Sequence, residues 1–586
     1  MSSATVTVPT PAALEEAKFA AAMIPSELSQ SPLLGIVGVL IGAGTVTLTS
    51  RMISLGLADF RGHQGFGVDE SAWIGTAFDM GLMFIGPFIV YLGGLLGPRR
   101  ILLAAAAVFT LLLIFLPLVH SLSLVIVMAL MAGLSSGTFY PLTLTFALRN
   151  IPLRFLPFTM ALYATFIDGA VNIAPSLYGW YRENLSWHWM FWNSAVITPV
   201  MMLCIFYGIP KVAPPKRSGP APSFAGVFYA GTGLALVLAA FEQGQRLDWW
   251  RSGVYNALFW SGAFLLLCAI IHRFTNPNPL VALPYLWSRN TVLLGALLFW
   301  FRFSLVGTII LIPTSLAIRG LEADQIGPAI IWSAIPLLPV AFIAGYLLLR
   351  DVDPRQILAA GLTCTAAAAL FNTQYDSGWA AANYYRTELL NGVGQSFALI
   401  GLVGCIILHG VFTGGLSKPQ RILTFSAYFH TIRLFGGTAS AIFVGHFVAE
   451  REKLHSNLLL GMHASRGNWI TDWNIRAMTA GAFAKSSGLA AAGSRALDLI
   501  GMRARLQAYA LAIVDGNYLL AWECACALLF VALLRRSPLF YGDLAALQGE
   551  PCYHYSKLGG MEKHPMWTEE KHVGREQSAE VRESKL

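Results

Sequence analysis

A chain of 586 residues that is 56% hydrophobic and only 12% charged cannot clothe itself in a water-facing surface, since soluble domains carry about 25% charged residues. With 36 Phe and 16 Trp it cannot be disordered either. The formal charge of +8 suggests no nucleic-acid partner, because the basic residues stand singly or in pairs between apolar runs and form no patch. The solvent these numbers demand is the lipid bilayer, and the fold class expected is an all-α polytopic membrane protein.

The first 31 residues are Ala-rich and mildly amphipathic, with Glu15, Glu16 and Lys18 and without a basic stretch leading into an apolar core, so no cleaved signal peptide is expected. A helix needs about 20 apolar residues to cross the hydrocarbon core. By that measure spans are expected near 33–58, 72–96, 101–118, 122–147, 156–179, 189–209, 224–241, 254–272, 291–318, 327–349, 356–372, 384–410, 424–448 and 514–534. The eleventh is short and Ala-rich, and the seventh ends at Glu242.

The short loops orient these spans. One side carries Arg99, Arg100, Arg149, Arg154, Lys211, Lys216, Arg217, Arg273, Arg289, Arg350, Arg355, Lys418 and Arg421; the other carries Arg61, Arg182, Arg246, Arg251 and Arg319. The positive-inside rule makes the first side cytoplasmic, and an even number of spans leaves both termini there. The stretch 450–513 falls outside despite its basic residues, since long loops translocate largely regardless of charge; its Ala-rich sequence reads as extramembrane helix. The tail, 536–586, is polar and mixed in charge.

Several segments carry a resemblance. GLSSGTFYPL (Gly133 to Leu142) has the form G-x-x-x-G-x-x-x-P-L, whose small residues let helices approach closely. APSLYGWY (Ala174 to Tyr181) ends the fifth span and WHWMF (Trp187 to Phe191) follows it, PLVALPYLWSRN (Pro279 to Asn290) precedes the ninth, and TIRLFGGTASAIFVGHFVAEREKLHSNLL (Thr431 to Leu459) covers the thirteenth and its exit. In this order they resemble the fourteen-span drug:proton antiporters of the major facilitator superfamily. The resemblance extends over about residues 33 to 535.

That likeness implies a major facilitator fold of two six-helix bundles plus two extra helices. The division would be a cytoplasmic segment 1–32, a first bundle 33–210, a linker with two extra spans 211–273, a second bundle 274–535 containing the outer loop 450–513, and the tail. Gating would involve Gly97, Arg99, Arg100 and Pro175. Two departures stand out: Gly94 occupies the place of the family's usual Asp in LGGLLGPRR, and Ala129 that of its fourth-span Arg.

Ionisable groups at membrane depth cost about 2.5–3.5 kcal/mol on insertion scales, so each needs a partner, a cavity or a function. Eight stand out: Arg51, Asp79, Asp168, Arg302, Glu388, His430, Arg433 and Glu523. Arg51 and Asp79 lie at similar depth and could pair, as a static bridge or as part of transport. Asp168, with Asn172 one turn on, is the stronger candidate for proton coupling, with Asp79 beside it, because burial penalises a carboxylate's charge. Arg51, Asn172, Arg302, His430 and Arg433 are candidates for substrate binding. Three interior arginines favour an anionic or weak-acid substrate, unless each is neutralised by Glu388, Glu523 or a backbone carbonyl. Glu388 stands close to the expected outer interface.

Aromatic residues such as Trp73, Tyr140, Tyr163, Phe166, Trp260, Trp300 and Phe301 either line a pocket or form the interface belt. Ser135 in GLSSG matches the hydrolase G-x-S-x-G pattern but sits in an apolar helix. GVGQSF (Gly392 to Phe397) lacks the third Gly of a dinucleotide site. Cys552 and His554 are too few to hold a metal, and no CxxC pair occurs. Neither cofactor nor enzymatic activity is expected.

The function these residues point to is a proton-coupled secondary transporter that exports amphiphilic drugs or weak organic acids by alternating access. An importer or facilitator without proton coupling is the alternative, and a membrane sensor a third. Its partners would be a small-molecule substrate and protons. In a two-membrane bacterium, where it would sit in the inner membrane, the resemblance adds a periplasmic adaptor and an outer-membrane channel.

Overall fold

The computed structural model describes residues 32–143, 151, 155–209, 224–276, 286–412, 419–463, 469–483, 488–537, 540–541, 553–555 and 561–563. The N-terminal segment, the linker carrying Lys211, Lys216 and Arg217, the loop basic residues Arg149, Arg154 and Lys418, Pro279 to Tyr285, and most of the tail lie outside the described residues. Within them the chain is helical apart from one short antiparallel ribbon in the tail, Tyr553–Tyr555 against Met561–Lys563.

The helices begin and end where the sequence provides punctuation. α1 is Pro32–Gln64. α2, Val68–Ile85, starts at Gly67, whose N–H donates to the Glu70 carboxylate at 2.9 Å; the acids of that first turn also complement the helix dipole. Gly86 and Pro87 interrupt the run because a proline has no N–H to continue it, and α3 resumes over Ile89–Leu96. Gly97, at φ +89°, turns the chain into α4, Pro98–Phe115. Its proline occupies the first helical position, where the missing donor costs nothing.

α5 (Leu122–Ser136), α6 (Leu156–Asn184), α7 (Trp189–Gly208), α8 (Phe224–Gly244) and α9 (Gly253–Thr275) follow. α10 (Arg289–Ser304) leads through a π-helical turn at Gly307–Leu311 into α11 (Ile312–Ala317), then α12 (Ala323–Ile330), α13 (Leu337–Leu349), α14 (Pro354–Asn372) and α15 (Tyr385–Phe412). α16 (Pro419–His463), α17 (Trp469–Phe483) and α18 (Leu489–Leu533) close the series.

Twelve helical stretches among the described residues are long and apolar enough to cross a membrane. The other two expected spans are helical but fall short of that measure. The one expected at 72–96 is split into α2 and α3 and carries Asp69, Glu70 and Asp79; the one at 356–372 is α14, whose Ala, Thr and Gly residues lower its apolarity. Outward faces are apolar, with Val127, Leu203, Phe264 and Phe342 among the exposed side chains, as a lipid-solvated bundle requires.

α1 packs on α6 and α7, and α2 on α5, in the first part of the chain; α15 and α18 each pack on α14 in the second. α6 faces both, touching α1 on one side and α12, α13 and α15 on the other, while the α8–α9 hairpin lies against α2 and reaches α16. The stretch 450–513, as far as it is described, is helical. It prolongs α16 and α18 as a pair, tied by Arg451 and His455 to Asp515 at 2.6 and 2.7 Å and by Arg505 to Glu452 at 3.5 Å, with α17 between them. Gln507 docks this pair on the loop after α14 through Ser377, at 2.8 Å.

The G-x-x-x-G-x-x-x-P-L segment does what its small residues allow. Gly133 of α5 and Gly81 of α2 face each other's backbones, and a Cβ on either would overlap main-chain atoms of the partner helix. Gly133→Ala is expected to destabilise the protein by about 1–3 kcal/mol, the usual cost of overpacking, read as a lower unfolding temperature in detergent. Gly75→Ala on the same α2, where nothing lies within 4 Å of the added methyl, should leave that temperature unchanged or raise it.

Candidate functional site

The centre of the site is a carboxylate on the helix that touches both parts of the chain. Asp168 of α6 is 2% exposed, and neither of its carboxylate oxygens has a hydrogen-bond partner. Two guanidinium groups, of Arg302 and Arg433, act on it electrostatically. Arg302 comes from α10 and lies along the Gly436–Gly437 pair of α16; a Cβ at Gly437 would stand 2.8 Å from its Nη2. The glycine pair is thus a trough for an arginine.

Arg433 lies over the Tyr140 ring, with Cζ 3.8 Å from the ring centre, a cation–π contact. Tyr140 is held by Tyr163, whose hydroxyl donates to the Tyr140 carbonyl at 2.9 Å. His430, one turn before Arg433 on α16, has its ring 5.8 Å from that of Tyr140, and neither ring nitrogen has a hydrogen-bond partner. It is seated against Gly86, where any side chain would collide with the imidazole. The break in the second span therefore makes room for a residue of the thirteenth. Arginine is always charged, so this cluster holds two fixed positive charges against one carboxylate.

A second polar network crosses between the same helices. Asn172 Nδ2 on α6 donates to Gln395 Oε1 on α15 at 3.2 Å. Gln395 Nε2 and Asn391 Nδ2 both donate to Thr308 Oγ1, at 2.8 and 2.9 Å, and Thr308 donates to Glu388 Oε2 at 3.3 Å. Asn391 also donates to Glu388 Oε1 at 3.1 Å. Glu388, expected near the interface, is 0% exposed.

Arg51 is answered from the other part of the chain. Its Nη2 donates to the carbonyl of Ile309 at 3.1 Å, within the π-turn. Pro313, four residues after Ile309, has no N–H to offer this carbonyl in the α-helical register, and the arginine donates to it. Arg51 and Asp79 do not pair. The Asp79 carboxyl instead meets Glu242 at the end of α8 and Ser50 of α1. Thr438 of α16 donates to Glu242 at 3.3 Å, and the neighbouring Gln243 donates to Thr76 at 2.7 Å.

The residues expected to gate lie apart from this centre. Gly97 makes the positive-φ turn, Arg99 covers Phe206 with Cζ 4.7 Å from the ring, Arg100 is exposed, and Pro175 is inside α6. Near Pro175, α6 meets α12 closely: Gly179 abuts the Asp324 backbone and Gly327 that of Ser176, and Arg182 forms an ion pair with Glu322. Of the aromatic candidates, Tyr140 and Tyr163 belong to the cluster. Phe301 is core, Phe166 and Trp260 are 41% and 61% exposed, and Trp73 carries Arg246 at 5.4 Å. Glu523 is buried on α18, its Oε1 without a hydrogen-bond partner.

Sequence reasoning passed over Thr308, Asn391, Gln395 and Glu242. The signal for Asn391 and Gln395 is their spacing from Glu388 along one helix face, and Pro313 marks the turn whose carbonyl Arg51 takes. Arg51→Leu is expected to cost about 1–3 kcal/mol, the penalty of an unsatisfied buried acceptor. Adding Pro313→Ala should recover more than half of it by restoring the backbone donor. A double-mutant cycle of unfolding temperatures in detergent checks this, and additive losses would show that the two residues are independent.

Residues 39–441 match the Major Facilitator Superfamily. Among curated proteins, the chain is 25% identical to the probable multidrug resistance protein EmrY of Escherichia coli (strain K12) over 50% of this chain and 56% of that protein. It is 20% identical to the fatty acid resistance protein FarB of Neisseria gonorrhoeae over 70% of this chain and 79% of that one. The chain thus spans little more than half of the first of these relatives. Among solved structures, the proton:xylose symporter XylE matches with 11% identity and a TM-score of 0.49, over 89% of this chain and 100% of that one. An all-helical bundle with twelve membrane-length stretches, charged groups gathered at its centre and a family match over more than half its length together lead to one conclusion: this chain belongs to the Major Facilitator Superfamily.

Proposed function

We propose that the chain is a proton-coupled secondary transporter that exports amphiphilic weak acids across the inner membrane by alternating access. The observation that carries this reading is the buried, unbonded carboxylate of Asp168 facing Arg302 and Arg433. Without cargo, Asp168 serves as counter-ion to the two arginines. An organic anion that enters from inside joins Asp168 against the two arginines, with Tyr140, Tyr163 and His430 as the adjoining surface; once it has left on the outer side Asp168 returns protonated and gives up its proton inside, so anion and proton move in opposite directions. FarB, named for fatty acid resistance, fits a cargo with an acidic head and an apolar body.

Proton coupling draws support from a second place. The carboxyls of Asp79 and Glu242 meet inside the bundle, and a pair of acids so placed is a site where one proton can be shared. Two like charges at such distance cannot both persist in a low-dielectric site. The pair joins α2 to α8 and, through Thr438, to α16, so relative movement of those helices alters its access to water.

The accompanying architecture is fourteen spans with both termini cytoplasmic, the first bundle over 33–210, the extra pair over 211–273 and the second bundle over 274–535. Rocking of the bundles about α6 exposes the central cluster to one side and then the other. A periplasmic adaptor and an outer-membrane channel belong to this reading where the cell has two membranes. A second reading, a facilitator without proton coupling, is favoured by Ala129, which is fully buried where drug:proton antiporters carry an arginine.

Purified protein in liposomes with an imposed pH gradient separates the two. A fluorescent long-chain carboxylate should move against the proton flow, whereas movement indifferent to the gradient would establish the facilitator. Asp168→Asn leaves the arginines without their counter-ion; anion binding should tighten while gradient-driven flux falls at least tenfold, and unchanged flux would remove Asp168 from the coupling. Arg433→Gln should weaken binding of the carboxylate at least tenfold, yet leave binding of its neutral methyl ester within twofold.

A further inference from the structure

Glu388 takes no part in the cluster just described, yet it is 0% exposed and its partners are the uncharged Thr308 and Asn391. A carboxylate withdrawn from water and answered only by neutral donors is costly to keep charged. Around it, α6 contributes Asn172, linked through Gln395, and the π-turn contributes Thr308. Arg51 donates to Ile309, the neighbour of Thr308, and Tyr384 shares a hydrogen bond with Ser315 at 2.8 Å. From α10 comes Arg302, which belongs with Asp168 and Arg433. Among the described residues none of these cations pairs with Glu388.

Two further atoms point to the missing ligand. Asn391 Oδ1 and Asn172 Oδ1 are buried acceptors without a hydrogen-bond partner. The amide of Asn391 already touches Glu388 through its nitrogen; turned over, it offers its unused oxygen to an acid O–H. The site thus contains both the acid and the acceptor that a protonated acid requires. Its lid is the Asn172–Gln395 bond between α6 and α15.

We infer that Glu388 is a proton-binding site in the second part of the chain, sealed by the Thr308–Gln395–Asn172 network and opened to water when α6 separates from α15. Its place in a transport cycle rests on the alternating-access reading above; its binding of a proton does not. With the Asp79–Glu242 pair it makes two carboxyl sites outside the cargo cluster.

The test has two arms on the full chain. In the first, infrared difference spectra between acid and alkaline pH are recorded on wild type and Glu388→Gln in lipid. Loss of one protonated-carboxyl C=O component, different from the component lost in Asp168→Asn, is expected, and a spectrum that superimposes on wild type overturns the proposal. This arm decides even if wild type ignores pH gradients, which would sink the transport reading alone. In the second, Glu388→Gln should lose gradient-driven flux at least tenfold while exchange of labelled for unlabelled cargo without a gradient stays within twofold; unchanged gradient-driven flux, or loss of both, overturns the role in coupling. Should Glu388→Gln fail to fold, Thr308→Val keeps the acid and removes its hydroxyl partner. The carboxyl component should then shift in frequency, and an unmoved band overturns the assignment.

Discussion

Everything in this structure answers to the cost of a charge in lipid. The bilayer offers no water to solvate Asp168, Arg302, Arg433 or Arg51, so each must be answered from within the chain. The answers differ in kind. Arg51 meets a backbone carbonyl, Arg433 an aromatic face, Arg302 a glycine trough, and Asp168 fixed positive charge without a single hydrogen bond. The least satisfied group is the one most able to exchange its partner. A carboxylate that is held by field alone can share its arginines with another anion with no directional bond to break, whereas Arg51 must break its hydrogen bond to the Ile309 carbonyl to move.

Local breaks in helical regularity position these charges. Gly86 and Pro87 open a gap into which His430 fits, and Pro313 with the π-turn exposes the carbonyl that Arg51 takes and presents Thr308 to three polar side chains. π-turns often occur at functional sites because one added residue redirects the side chains on either side. In a membrane such breaks survive only where buried side chains satisfy the backbone they free. The irregular positions and the ionisable ones therefore coincide for a physical reason.

The helix α6 links this chemistry to movement. It carries Asp168 and Asn172 on the side that meets α12, α13 and α15, so both polar clusters straddle the contact between the two parts of the chain. Near one end this contact is tight, with Gly179 and Gly327 bringing backbones together and Arg182 paired to Glu322 across it. Small residues at a crossing allow two helices to close over a polar interior and, lacking interlocked side chains, to part again at modest cost.

Composition alone settled that lipid is the solvent, because a polar surface cannot be made from 12% charged residues. Apolar run lengths located the helices, since period and length are local properties of the chain. The ionisable residues at membrane depth were equally legible, as each stands out against an apolar background, and the family resemblance followed from ordered short motifs. Pairing was another matter. Arg51 and Asp79 lie at like depth on adjacent spans, yet Arg51 turns to Ile309, 258 residues away, and Asp79 to Glu242 on a helix that the count of spans had made peripheral. Which face of a helix meets which neighbour depends on packing between distant segments, and depth along a span says nothing of rotation about its axis. For the same reason Glu388, placed by sequence near the interface, is enclosed by Thr308, Asn391 and Gln395 only once α15 has found the π-turn.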